Sequence, residues 1–138
     1  MPRQIGVLAL QGGYAAHAAV LQRLGADVIE VRLPEHLSEC DALVMPGGES
    51  TTIIRLLQRN LLDSAIIERA NAGMPIFATC AGLILLSKRI ASGAERGGQP
   101  TLGLLDVEVV RNGFGRQLDS FEADLQVKGF DAPLRAIF

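Results

Sequence analysis

The chain contains 138 residues with a mass of 14.7 kDa, a size that suits one domain. Hydrophobic residues make up 49% and charged residues 20%, which excludes a disordered chain. The formal net charge of −2 provides no basic surface for a phosphate backbone, so nucleic-acid binding is disfavoured. Two cysteines are too few for a disulfide framework, no His/Cys spacing fits a zinc site, and the apolar stretch near the N-terminus is too short to span a membrane. We therefore expect a soluble cytoplasmic protein with free thiols and no cofactor, metal, nucleic-acid or membrane partner.

Short apolar strands alternate with helices along the first ninety or so residues. Residues 5–10 (IGVLAL) form a continuous apolar run, which is typical of a strand buried on both faces of a parallel sheet. The same reasoning, applied in chain order, predicts a helix at 15–24, strands at 27–33 and 42–45, helices at 52–58 and 61–72, a strand at 75–79 and a helix at 80–90. This order predicts a doubly wound, mostly parallel α/β sheet of the flavodoxin-like kind, with helices on both faces.

The character of the sequence changes after residue 91. A Gly-rich loop at 91–100 is followed by two strand-like segments at 104–110 and 121–127. Because no helix separates these segments, we expect antiparallel strands toward the C-terminus. Residues 1–138 are expected to form a single domain, and the strand-like run that ends at Phe138 predicts that this domain is truncated at its C-terminus.

A cysteine stands at the predicted junction between a buried strand and a buried helix, in the motif Thr79-Cys80-Ala81-Gly82. Such a residue lies on a sharp turn at the carboxyl end of a parallel sheet, where open α/β folds bind ligands. The first N–H groups of the helix favour a thiolate, and the N–H of Ala81 could donate to an oxyanion. Cys80 is therefore a candidate nucleophile, and a buried structural cysteine is the alternative.

Residues 46–50 (PGGES) form a second loop between a predicted strand and a predicted helix. Gly47 and Gly48 allow backbone N–H groups to turn toward a ligand, although a simple tight turn has the same composition. Both loops follow parallel strands, so they lie on the same edge of the sheet and could converge. Ser50 is the predicted N-cap of the following helix.

The segment 111–116 (RNGFGR) is the third candidate. Arg111 could hold a substrate carboxylate through two parallel hydrogen bonds. A solvated hairpin loop is the alternative, and the composition alone favours it.

No general base is evident in the sequence. Only His17 and His36 are present; the first lies in a predicted helix and the second in a predicted loop, and neither has a carboxylate partner at short range. We expect neither histidine to reach the elbow at Cys80.

Five segments in order resemble the glutaminase subunits of two-component pyridoxal 5′-phosphate synthases, which are class I (triad) glutamine amidotransferases. They are LALQGG at 8–13, MPGGESTT at 45–52, TCAGLILL at 79–86, RNGFGRQ at 111–117 and SFEADLQVKG at 120–129. The resemblance implies hydrolysis of L-glutamine and transfer of the ammonia to a synthase subunit in a hetero-oligomer. The residues that it assigns are Cys80 as nucleophile, Gly48 and Ala81 as donors of the oxyanion hole, and Gly47, Gly48, Glu49 and Arg111 as glutamine-binding residues.

The chain departs from the family pattern at its C-terminal side. The family carries its catalytic His and Glu in a His-Pro-Glu segment that follows the region matched here, and a glutamine-binding Ile-Arg pair would come directly after Phe138. We therefore expect slow turnover from these 138 residues alone. Two alternatives stay open: a non-hydrolytic Cys-elbow protein that acts as a redox sensor or chaperone-like module, and a catalytically inactive docking subunit.

Overall fold

The fold is known from a computed structural model, which describes residues 1–91 and 98–138. Its main sheet has four parallel strands in the order β2-β1-β3-β4. The strands are β1 at Gln4–Leu8, β2 at Asp27–Val31, β3 at Ala42–Met45 and β4 at Ile76–Ala78. This strand order is that of flavodoxin-like sheets, which confirms the predicted fold class.

Five α-helices occur among the described residues: α1 at Tyr14–Arg23, α2 at Pro34–Ser38, α3 at Ser50–Arg59, α4 at Leu62–Asn71 and α5 at Ala81–Leu86. The connection from β1 to β2 runs toward one edge of the sheet, and that from β3 to β4 runs toward the other. Because crossovers between parallel strands are right-handed, α1 lies on one face and α3 with α4 on the opposite face. The short helix α2 lies where a loop was predicted, and Pro34 provides the fixed φ of its first turn.

The hydrophobic core is formed by residues of β1, β2 and β3 and by the helices α2 to α5. Helix α3 buries residues at the spacing of one helical face, and β3 buries Leu43, Val44 and Met45. Hydrophobic side chains with at most 1% of their surface exposed include Val7, Val31, Leu37, Leu43, Met45, Ile53, Leu57, Leu62, Ile66 and Leu85. In contrast, α1 has no fully buried residue. It is therefore the least firmly packed of the longer helices.

The predicted helix at 80–90 ends at Leu86, and the remainder forms strand β5 at Ser87–Ile90. The hydroxyl of Ser87 donates to the carbonyl of Ile84 over 2.7 Å, which satisfies an acceptor at the end of the helix. Lys88 and Arg89 face Asp106 on β6 (Leu105–Val109), with which β5 pairs in parallel. The run is apolar on all sides, so its periodicity could not place this boundary.

Antiparallel strands are present near the C-terminus, as predicted, but with different partners. Strand β7 at Glu122–Leu125 pairs antiparallel with β8 at Leu134–Ile137. The two strands predicted at 104–110 and 121–127 belong to separate sheets, because the first of them pairs with β5. Of the predicted Gly-rich loop at 91–100, residues 92–97 lie outside the described residues. Across the described ranges, helices long and apolar enough to cross a bilayer are absent.

Candidate active site

Cys80 is on a sharp turn between β4 and α5, as predicted. Its backbone has φ 50° and ψ −113°, a conformation that non-glycine residues rarely adopt. Such a backbone costs on the order of 1–3 kcal/mol and persists only where its surroundings fix it. The side chain is exposed, and the first N–H groups of α5 follow it directly. Cys80 therefore has the geometry of a nucleophile elbow.

Hydrogen bonds hold both sides of this elbow. The N–H of Thr79 donates to the carbonyl of Met45 over 3.1 Å, and the N–H of Gly82 donates to the carbonyl of Thr79 over 2.8 Å. The N–H of Ile84 donates to the carbonyl of Cys80 over 3.2 Å. A Cβ at Gly82 would collide with the Met45 carbonyl, so only glycine lets α5 begin this close to the end of β3.

The loop at 46–50, here called the Gly-Gly loop, lies against the elbow at Cys80. A Cβ built on Gly47 would be 3.2 Å from Cβ and 3.8 Å from Sγ of Cys80. The predicted convergence of the two loops at one edge of the sheet is therefore observed. The roles of Gly47, Gly48 and Ala81 remain a prediction.

A third loop, which follows β1, holds the Gly-Gly loop in place. The N–H of Gly13 donates to the carbonyl of Gly47 over 3.0 Å. The Gln11 side chain accepts from the N–H of Glu49 over 2.9 Å. The sequence places the loop at 11–13 on the same edge of the sheet as Cys80, but it did not predict that Gln11 binds the backbone of Glu49.

Glu49 begins α3 and accepts several hydrogen bonds. Its carboxylate accepts from the N–H of Thr52 over 3.0 Å and from the hydroxyls of Thr51 and Thr52. The Thr51 hydroxyl, which outweighs the opposing effect of partial burial, keeps the pKa of Glu49 below its ordinary value. Glu49, not the predicted Ser50, is the N-cap of this helix. These hydrogen bonds thus favour the ionised form of the Glu49 carboxylate.

Arg111 lies close to Glu49 although the two residues are distant in the sequence. Its Nη2 lies 3.7 Å from Oε1 of Glu49, and its Nη1 donates to Oε1 of Gln99 over 3.2 Å. The same oxygen of Gln99 accepts from the hydroxyl of Ser50 over 3.0 Å. Residues 112–116 are exposed, as the alternative interpretation predicted, but they do not join the strands of a hairpin, because β6 and β7 belong to separate sheets. Only Arg111 of this segment joins the site.

The prediction that both histidines lie away from the elbow is wrong for His17. Its Nε2 lies 3.3 Å from Oγ1 of Thr79, the residue that precedes Cys80. The sequence did not reveal this contact because the two residues are distant in the chain. His36, in contrast, lies in the short helix α2, and its Nδ1 accepts a hydrogen bond from the N–H of Arg32 over 3.2 Å.

The two cysteines have opposite environments. Cys40 is buried, with 3% of its surface exposed, and its thiol donates to the carbonyl of His36 over 3.3 Å. Burial raises the pKa of the Cys40 thiol; the Arg69 guanidinium opposes this effect, and the neighbouring carboxylates add to it.

In residues 1–91 and 98–138, His, Cys, Asp and Glu side chains form no group of three or more that could hold a metal ion.

An open parallel α/β sheet with a cysteine on a strand–helix elbow beside a glycine loop defines an α/β protein of the nucleophile-elbow class. The chain belongs to the SNO glutamine amidotransferase family, whose model matches residues 7–138. It is 54% identical over 135 residues to the pyridoxal 5′-phosphate synthase subunit PdxT of Herpetosiphon aurantiacus, a match that covers 97% of this chain and 70% of that protein. The PdxT of Roseiflexus sp. is 51% identical, with the same coverage.

Solved structures agree with this assignment. A crystal structure of a glutamine amidotransferase matches with a TM-score of 0.86 and 45% identity, covering 97% of this chain and 69% of that one. A putative peptidase E protein from Listeria monocytogenes matches with a TM-score of 0.64 at 20% identity, which indicates a shared fold only. The predicted family and fold class are thereby confirmed.

Proposed function

We propose that this chain hydrolyses L-glutamine to glutamate and ammonia and delivers the ammonia to a synthase subunit that makes pyridoxal 5′-phosphate. The observation that carries the proposal is the contact between the Gly-Gly loop and the elbow, with Gly47 beside the thiol of Cys80. The family and the names of the relatives support the same activity.

The chemistry starts at the Cys80 thiolate, which attacks the carbonyl carbon of the glutamine side-chain amide. The carbonyl oxygen becomes an oxyanion, to which the N–H groups of Gly48 and Ala81 would donate. Collapse of this intermediate breaks the C–N bond, and the nitrogen takes up a proton and leaves as ammonia. Water then attacks the thioester, which releases glutamate and restores the thiol.

Opposite charges at the site fit the two ends of an amino acid. The ionised carboxylate of Glu49 is suited to the α-ammonium group of glutamine, and the guanidinium of Arg111 to its α-carboxylate. Nη2 of Arg111 lies 3.7 Å from Oε1 of Glu49, so the two groups face the same position. Glutamine would bind between them, with its amide directed toward Cys80.

The redox-sensor alternative has less support. In that class the reactive cysteine works with a carboxylate from the loop after the first strand, and Gln11 stands there in this chain. The PdxT relatives are named as synthase subunits, which also favours the glutaminase. A thiol that reacts with glutamine must stay reduced, which suits a reducing compartment such as the cytoplasm.

The activity is tested by incubating the purified chain and its synthase subunit with glutamine and measuring glutamate and ammonia. We expect slow formation of both products in equal amounts, loss of both with Cys80→Ser, and an unchanged rate with Cys40→Ala as the matched control. Product formation that survives Cys80→Ser would contradict the proposed nucleophile. Absence of both products, with peroxide-sensitive Cys80, would favour the redox sensor.

We propose that the synthase subunit docks on the outer face of α1 and on the loop at 11–13. Ala16, Ala19 and Arg23 on this helix are exposed, and the loop touches the Gly-Gly loop through the bond between Gly13 and Gly47. A partner bound here could therefore change the shape of the Gly-Gly loop, from which Gly48 would donate to the oxyanion.

Co-purification of the two subunits tests this docking face. Arg23→Glu, Ala16→Trp and Ala19→Trp should each weaken the complex, whereas Arg59→Glu on the opposite face of the sheet should not. Unchanged binding by all three α1 variants would indicate a different docking surface.

A further inference from the structure

A side chain from α1 reaches the residue that precedes the nucleophile. Nε2 of the partly buried His17 lies 3.3 Å from Oγ1 of Thr79, and either tautomer lets one of the two atoms donate. The residues are 62 positions apart in the sequence. Because α1 has no fully buried residue, this contact is a specific tie between a loosely packed helix and the elbow.

Thr79 is bound through each of its polar groups to a different element. Its N–H donates to the carbonyl of Met45 at the end of β3, and its carbonyl accepts from Gly82 in α5. Its hydroxyl is bound to His17 in α1. The next residue, Cys80, has the strained backbone at φ 50°. A strained residue keeps its conformation only while its neighbours are held, so each tie on Thr79 helps to maintain the elbow.

We propose that His17 is a positioning residue: through the Thr79 hydroxyl it fixes the elbow and thereby the direction of the Cys80 thiol. It does not touch the substrate. The inference rests on the proposed role of Cys80 as nucleophile, but not on the identity of the substrate. The same helix carries the proposed docking face, so a shift of α1 would reach the thiol through this bond.

Two pairs of variants separate the hydrogen bond from the shape of the side chains. His17→Phe and Thr79→Val keep the approximate size but remove the polar atoms. His17→Gln places an amide near the position of Nε2, and Thr79→Ser keeps the hydroxyl. His36→Gln is the matched control, because it changes the other histidine, which lies in α2.

The first measurement is the rate at which iodoacetamide alkylates Cys80, followed by mass spectrometry on the folded chain. We expect His17→Phe and Thr79→Val to slow alkylation about five- to tenfold, as the loss of one hydrogen bond implies. Without this bond the elbow relaxes, and the thiol turns away from the edge of the sheet at which the loops meet. His17→Gln, Thr79→Ser and His36→Gln should stay within about twofold, since each keeps the bond in question. The double variant should be no slower than either single variant, because both remove one interaction.

The second measurement is glutamate formation with the synthase subunit present. We expect kcat to fall with His17→Phe while KM is unchanged, since Glu49 and Arg111 lie on other elements. Unchanged alkylation in both His17→Phe and Thr79→Val, or effects that add in the double variant, would overturn the proposal. If His17→Phe does not fold, the alkylation rate of Thr79→Val is compared with that of Thr79→Ser, and equal rates would overturn the proposal. If the single and double variants slow alkylation as expected but the chain forms no glutamate, the positioning role is supported and the proposed activity is contradicted.

Discussion

The carbonyl of Gly47 accepts a hydrogen bond from the N–H of Gly13 over 3.0 Å. The carbonyl and N–H of one trans peptide point in opposite directions. The N–H of Gly48, which shares a peptide with the Gly47 carbonyl, is therefore directed away from the loop at 11–13. This single bond sets the orientation of the peptide from which an oxyanion-hole donor is expected, and it ties that peptide to a loop at the proposed docking surface.

Gly48→Val is expected to damage catalysis more than folding. Gly48 has φ 155°, and a Cβ there would lie 2.5 Å from Oε1 of Gln11 and 3.0 Å from Cα of Gly12. The side chain would displace the peptide that carries the donor, and loss of one such donor costs about 10²–10³-fold in turnover. Glutamate formation with the synthase subunit present measures the effect. Gly73→Val is the control, because Gly73 also has positive φ but no atom within 4 Å of a Cβ. Near-normal turnover in a folded Gly48→Val chain would contradict the assignment.

Thr51→Val is expected to move the acid limb of kcat/KM to higher pH. The Thr51 hydroxyl is the main cause of the lowered pKa of Glu49, because it bonds the ionised form. Without it the pKa rises, so the carboxylate is lost at a higher pH as the solution is acidified. A lowered pKa also stabilises the fold above the ordinary value of a glutamate and loses that effect as pH falls through the folded value. The pH profile of glutamate formation measures the shift, and Ser64→Ala on α4 serves as control. An unmoved or lower acid limb would show that Glu49 does not govern it.

The sequence was sufficient to predict the parallel sheet and the two loops at its edge. Apolar runs without alternation mark strands such as β3, and glycines follow them where a ligand edge is expected. The sequence did not predict the change from α5 to β5, because a run that is apolar on all sides has no period. It also did not predict the contact between His17 and Thr79, because no local pattern encodes a hydrogen bond between distant positions.

The site was predictable in its parts but not in its connections. The position after a parallel strand placed Cys80 and Gly48 on one edge, and the structure brings their loops together. The ion pair of Arg111 with Glu49 depends on how the chain returns after β6, which the topology determines and the composition does not. The resemblance to a family assigned both residues to glutamine binding but did not predict their ion pair; the local residues around Arg111 favoured a solvated hairpin loop.

Arg111→Lys is expected to raise KM for glutamine more than it lowers kcat. Lysine keeps the charge but cannot form two parallel hydrogen bonds to a carboxylate. Loss of one bond to a charged group costs about 1.5–3 kcal/mol, or roughly 10–160-fold in KM. Arg116→Lys is the matched control, because Arg116 lies on the exposed turn and pairs with Asp119 over 3.4 Å. Equal effects in the two variants would exclude a specific role for Arg111.

A diazo-ketone analogue of glutamine is expected to label Cys80 and to leave Cys40 unmodified. Cys80 is exposed beside the Gly-Gly loop, whereas Cys40 is buried and its pKa is raised by that burial. Mass spectrometry of the digested chain locates the adduct, and Cys80→Ser should remove it. Excess glutamine should slow the labelling by competition. An adduct on Cys40 with none on Cys80 would contradict the assignment of the nucleophile.

The 138-residue polypeptide is expected to react once with such an analogue but to turn glutamine over slowly, even with the synthase subunit present. Ammonia must be protonated as it leaves and a water must be activated to hydrolyse the thioester, and a positioned acid or base contributes about 10²–10⁴-fold to such steps. The chain has two histidines: His36 is bound to the backbone of Arg32, and His17 is bound to the hydroxyl of Thr79. A coupled glutamate assay, run beside a full-length relative at equal concentration, measures the difference. Turnover equal to that of the relative would contradict the prediction. A total loss of that turnover in both His17→Phe and His17→Gln would then identify His17 as the base, since the amide of glutamine can hold Thr79 but cannot accept a proton.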